Sequence, residues 1–181
     1  PQTLADIDML GYKHVVVSSI NIFPTDEHEV LKKIIDGFKN FSLANISFTN
    51  ALLTKAKDTT AFLKDLNEQI SKDDTANLYV IHGTPKLDTV GIDSINYTSS
   101  FLELISEKNF TCSLEGAFPY FEINDVIKAK IEKIGLKKVQ IVPLLLVSGN
   151  HYIEDMFEIK DDLASLFESS IVSSLTKSKQ F

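Results

Sequence analysis

Apolar positions along this chain follow two rhythms. In some stretches they recur every three or four residues, the spacing that lines one face of a helix. In others they form short continuous runs rich in Val and Ile, the mark of strands buried on both faces. The longest such run, within residues 138–147, stops at Ser148-Gly149-Asn150, a cluster of turn formers. Shorter strand-like segments lie at 12–20, 77–81 and 109–114. The helical spacing predicts a first helix at 3–10 (Leu4, Ile7, Leu10), ended by Gly11. A second, at 25–41, opens on Thr25-Asp26-Glu27 and faces inward through Val30, Leu31, Ile34 and Phe38. Residues 40–50 read as loop or weak strand. Further helices are predicted at 58–71 (Ala61, Leu63, Leu66, Ile70) and 92–108 (Ile95, Phe101, Leu102, Ile105). Another covers 122–134 (Ile123, Val126, Ile127, Ile131, Ile134), capped by Gly135, and a last one 155–173, followed by a fraying Lys-rich tail.

Strands alternating with helices predict α/β architecture with parallel sheets. Asp73-Asp74-Thr75-Ala76 is the one convincing linker. It divides the chain into an N-terminal α/β half, residues 1–72, and a C-terminal α/β half, residues 73–181, a pattern open to a coarse duplication.

Composition narrows the functions. Formal net charge is −7, and all 18 basic residues are Lys. Without Arg forks or a basic stripe, nucleic acid is an unexpected partner. Anionic groups on a ligand would have to be held by Lys or by amide donors. Cys112 is the single cysteine, which excludes an intramolecular disulfide and a Cys-based zinc site and fits a reducing, cytoplasmic setting. It sits within a strand, so a buried, inert thiol is expected. No apolar run is long enough for a membrane span, and the first ten residues lack the pattern of a signal peptide.

Candidate chemistry comes from the strand ends. His82 follows the run at 77–81, Glu115 follows the run at 109–114, and His151 follows the turn that ends the longest run. In open α/β sheets, ligands bind at the carboxyl edge of the strands. Two imidazoles and a carboxylate suit Co, Ni, Fe or Zn better than Mg or Ca, and can also move protons near neutral pH. Each residue alone has a plainer reading: His82 as a hydrogen-bonded strand-end histidine, Glu115 as a helix-entry charge, His151 as a cap or solvated residue. His14 reads as a core or edge histidine and His28, in Asp-Glu-His-Glu, as a solvated first-turn residue. No Gly-rich phosphate loop is present.

Three motifs carry a resemblance. They are His-Gly-Thr at 82–84, Glu-Gly-x-x-Pro at 115–119 and Val-Pro-Leu-x-Leu-Val-x-Gly-x-His-x-x-x-Asp-Met at 142–156. In this order they resemble the class II chelatases, most of all the CbiK-type sirohydrochlorin cobaltochelatases of cobalamin biosynthesis. The resemblance implies two similar α/β halves facing each other across a cleft that takes a tetrapyrrole. It implies His82, Glu115 and His151 as metal ligands, with His82 and Glu115 also handling protons. The substrates would be a divalent metal, Co2+ first and Fe2+ or Ni2+ as alternatives, and sirohydrochlorin, with no organic cofactor. Homo-oligomerisation stays open. Against the family pattern the front half lacks its opening strand and helix, Asn150 stands where Asp is common, and the segment after Asp155-Met156 has no Trp. The rival reading is a non-catalytic tetrapyrrole- or metal-binding protein.

Overall fold

The structure is a computed structural model that describes the backbone at residues 1–145 and 150–172, with the side chains of 150–152 outside the description. The elements in chain order are α1 (Gln2–Met9), β1 (His14–Val17), α2 (Asp26–Lys39), β2 (Asn45–Phe48), α3 (Ala56–Ile70) and β3 (Thr75–Thr84). They continue as α4 (Ile92–Ile105), β4 (Asn109–Gly116), α5 (Tyr120–Lys133), β5 (Lys138–Leu144), α6 (Asn150–Ala164) and β6 (Glu168–Ile171). The strands form two parallel sheets, β1-β2 and β4-β3-β5-β6. The α/β architecture expected from the sequence, parallel sheets flanked by helices, is the one found.

The larger sheet is buried on both faces because its strands are apolar at successive positions. Leu78 and Val80 of β3 point to one side, with Phe110, Cys112, Val139 and Ile141, and pack against Ile127 and Ile131 of α5 and Met156, Ile159 and Leu163 of α6. Tyr79 and Ile81 point to the other, with Val142 and Leu144, and meet Leu63 of α3 and Ile95 and Leu102 of α4. Each fully buried Leu or Ile here contributes about 1.5–3 kcal/mol of transfer free energy. Helix α3 thus packs on the larger sheet, and Ile22, Phe23 and Leu53 join the same cluster.

At the amino edge of that sheet the register is set by polar groups. Gln140 Nε2 donates to Asn77 Oδ1 (2.5 Å), Asn77 Nδ2 donates to Asn109 Oδ1 (2.8 Å), and Asn109 Nδ2 donates to Asn67 Oδ1 (2.9 Å). Tyr79 Oη donates to the same Asn67 oxygen (2.9 Å). A one-residue slip of β4 or β5 would break this chain of bonds and leave buried amides unsatisfied.

Several expectations change. The last predicted helix is shorter: α6 ends at Ala164, and Glu168–Ile171 is a strand paired with β5. Its exposed-intermediate alternation marks an edge strand, too short and too polar to stand out from the helix before it. Residues 40–50 contain β2, parallel to β1 in register His14↔Asn45. Strand β1 is only four residues long, and His14 at its start is exposed. On α2 the buried face is His28, Leu31, Ile35 and Phe38, while Val30 and Ile34 face solvent, as Val126 does on α5. The strand expected to reach Val147 is described to Leu144; residues 146–149 and the tail from 173 lie outside the described residues.

Candidate active site

Both β3 and β4 run farther than expected, so His82 and Glu115 lie within the last three residues of strands rather than in loops. Two glycines make this possible. Gly83 and Gly116 both have positive φ, +89° and +78°. A Cβ on Gly83 would overlap the Glu115 carbonyl, and one on Gly116 would overlap the Thr84 carbonyl. The two strand ends are therefore pressed together reciprocally, at a spacing that only glycine permits. Beyond them the chain bends back: Ser113 N–H donates to Phe118 O (3.0 Å) and Ser113 Oγ to Ala117 O (2.8 Å). That turn forces Phe118 to φ +58°, a conformation costing about 1–3 kcal/mol for a residue with a side chain.

At this edge His82 Nδ1 lies 3.5 Å from Glu115 Oε1. Their side chains are 59% and 51% exposed, so neither is held by packing and both are open to a ligand. The pair opens on a cavity of about 190 Å³. One wall is the strand ends, with Thr84, Leu144 and Leu145. The other is the segment after β1 and the start of α2, including Asn21, Phe23, Asp26 and Glu27. Leu52 N–H donates to Asn21 O (3.0 Å) and Leu53 N–H to Ile22 O (2.7 Å), which ties that second wall to the chain ahead of α3. The loop after β3 touches it too: a Cβ on Gly91, at φ +97°, would come within 2.5 Å of Pro24 O.

His151 is the second residue of α6, the helix that follows β5, and its side chain lies outside the described residues. Among the described residues no three His, Cys, Asp or Glu side chains converge to hold an ion. The structure therefore joins two of the three expected residues, His82 and Glu115. Cys112 is buried, and burial pushes its thiol pKa up, as expected for an inert core thiol.

His28 is the clear departure from expectation. It is 4% exposed, stacked on Phe48 with ring centroids 5.0 Å apart, and its Nδ1 lies 2.9 Å from Ser19 Oγ. Burial lowers its pKa, because a charged ring would lose its hydration there. The charged neighbours in Asp-Glu-His-Glu suggested solvent, but the helix face is decided by i, i+3 and i+7 partners, here Leu31 and Ile35. Sequence reasoning also passed over Asn21 as a cavity residue. The available signal was its place just beyond the first strand, where ligand-facing residues collect.

Solved structures with this architecture include SirB from Bacillus subtilis with Fe3+, at 16% identity and TM-score 0.63, covering 94% of this chain and 68% of that one. Another is the sirohydrochlorin chelatase SirB from Bacillus subtilis subspecies spizizenii in complex with cobalt, at 14% identity and TM-score 0.51, covering 90% of this chain and 63% of that one. The chain thus spans about two thirds of their length, and the likeness shows a shared fold. The profile of the cobalt chelatase (CbiK) family matches residues 1–176, and the chain belongs to that family of metal–tetrapyrrole chelatases.

Proposed function

We propose that this protein inserts a divalent metal ion, Co2+ foremost, into sirohydrochlorin. The observation that carries the reading is the half-exposed His82–Glu115 pair, 3.5 Å apart, at the strand ends of a cavity walled by both parts of the chain. Insertion replaces two pyrrole N–H protons with one metal ion. It needs a donor set that holds the ion loosely and a base within reach of the ring nitrogens. His82 is the first metal ligand and the proton acceptor. Glu115 is a further ligand and passes the proton outward. His151, from the first turn of α6, completes the set. An N, N, O set suits a borderline divalent ion. The cavity is smaller than the 300–1,000 Å³ usual for a whole small-molecule site, so it suits the ion and the reacting edge of the ring.

In this reading residues 1–72 supply the wall at Asn21–Glu27 and residues 73–181 supply the strand ends, in a cytoplasmic setting. Among the described residues no helix is long and apolar enough to cross a membrane. Iron is the second candidate metal, because one of the solved SirB structures carries Fe3+. Absorbance-monitored metallation of sirohydrochlorin with Co2+, Fe2+ and Ni2+ tests the proposal. Turnover that is fastest with Co2+ and lost in His82→Ala supports it. Tetrapyrrole binding without turnover for any metal would leave a carrier protein in its place.

A further inference from the structure

Asn21 shares the cavity with His82 and Glu115, and its side-chain oxygen accepts a hydrogen bond from Ser19. Ser19 Oγ sits at the centre of three contacts: Asn21 Oδ1 at 3.1 Å, His28 Nδ1 at 2.9 Å and the Asn21 backbone N–H at 3.3 Å. A hydroxyl has one proton to give and two lone pairs to receive with. With its proton given to Asn21 Oδ1, Ser19 must accept from the other two, so the His28 ring carries its hydrogen on Nδ1. All three capacities of the Ser19 hydroxyl are then used. The Asn21 carbonyl oxygen is engaged on the inner side. Its NH2 group, with two donors, has no partner among the described residues. The His28 ring itself is clamped against Phe48.

The cavity needs such a donor. Asp26, Glu27 and Glu115 all line it, and among the described residues no Lys does. A tetrapyrrole rimmed with carboxylates would meet repulsion there unless an N–H group faced it, and the chain contains no Arg to supply one.

We propose that Asn21 is a substrate-binding residue whose side-chain NH2 holds a peripheral carboxylate of the macrocycle, with Ser19 and His28 as positioning residues that keep the amide turned toward the cavity. This rests on the chelatase reading above and adds the means by which an acidic cavity accepts an acidic ring.

The experiment compares steady-state metallation with metal-free fluorescence titration of sirohydrochlorin. Asn21→Asp keeps the shape and replaces the donor with a negative charge. It should raise both KM for sirohydrochlorin and the metal-free Kd by about tenfold or more with kcat within about twofold, the signature of lost ground-state binding. A neutral ester of the same tetrapyrrole should bind wild type and Asn21→Asp equally. His28→Phe keeps a ring on Phe48 but removes the donor, and should raise KM by about threefold. His28→Asn loses the ring but restores an N–H near the Nδ1 position, and should recover most of the affinity. A purely packing role predicts the reverse order, with His28→Asn worse than His28→Phe, and that order would overturn the positioning claim. Unchanged Kd in Asn21→Asp, with wild type active, would overturn the carboxylate contact and leave the chelatase reading standing. Wild type that neither binds nor metallates the tetrapyrrole would remove both.

Discussion

The two sheets use the same βα logic but bury very different amounts. The β4-β3-β5-β6 sheet has helices on both faces, and residues such as Leu78, Leu102, Ile131 and Ile159 are fully buried. The β1-β2 sheet buries Ile35, Ala44 and Ile46 on one face, while Val16 on β1 is 67% exposed. The small sheet nevertheless supplies the wall that carries Asn21, Asp26 and Glu27, and the large one supplies His82 and Glu115. The division teaches that the cohesive part carries the His82–Glu115 pair, while the part with the thinner core forms the opposite wall of the cavity.

Core truncations break the comparison most directly. Leu102→Ala or Ile131→Ala, in the large sheet's cores, should cost about 2–5 kcal/mol and lower the midpoint of global chemical unfolding. Ile35→Ala should instead raise hydrogen exchange in α2, β1 and β2 first, with exchange in β3 and β5 nearly unchanged. Equal loss of protection in both sheets would show that the protein unfolds as one unit.

His82→Ala separates chemistry from cohesion. Metal insertion should fall about 100-fold or more, because the proposed ligand and proton acceptor would be lost together. Stability should stay within about 0.5 kcal/mol, since the side chain is 59% exposed. A large drop in Tm with little loss of rate would reassign His82 to structure.

Two glycines sharpen the comparison from opposite sides. Gly116→Ala places a methyl against the Thr84 carbonyl at positive φ and should cost about 1–3 kcal/mol while opening the site. Gly37→Ala, inside helix α2 with open space around it, should stabilise by about 0.5–1 kcal/mol. Paired thermal melts check both signs.

The acid limit should lie in the larger part. Burial alone would raise the pKa of Asp162, yet hydrogen bonds from Lys128 Nζ (2.7 Å), Tyr120 Oη (2.7 Å) and Asn124 Nδ2 (3.2 Å) outweigh it and hold the carboxyl below the ordinary range. A lowered folded-state pKa contributes stability that is present above the unfolded value of about 3.9 and lost as pH falls through the folded one. The α5–α6 contact should therefore loosen below about pH 4, and Asp162→Asn should flatten that dependence in melts across pH 2–6. The smallest effect is expected at Val16→Ser on the open face of β1, within about 0.5 kcal/mol of wild type.

Most of the secondary structure was legible because the larger sheet's strands and the helices around them carry strong periodic signals. The missed element was β6, and β2 was read only as loop or weak strand; both are four-residue strands whose apolar positions are too few to show a period. The site was legible in part. His82 and Glu115 stand out as polar residues closing apolar runs, and the motifs at 82–84 and 115–119, together with the longer one at 142–156, pointed to the family. His151, expected just past the longest apolar run, is the second residue of α6, and its side chain lies outside the described residues. What the sequence by itself determined about this protein is therefore the order of elements, the parallel sheet and the family. Only the tertiary structure decided that His28 turns inward onto Phe48, that Gly83 and Gly116 press two strand ends together, and that Asn21 shares a cavity with His82 more than sixty residues away. Those facts depend on contacts between segments distant in the chain, and local spacing carries no record of which distant segment will be the neighbour.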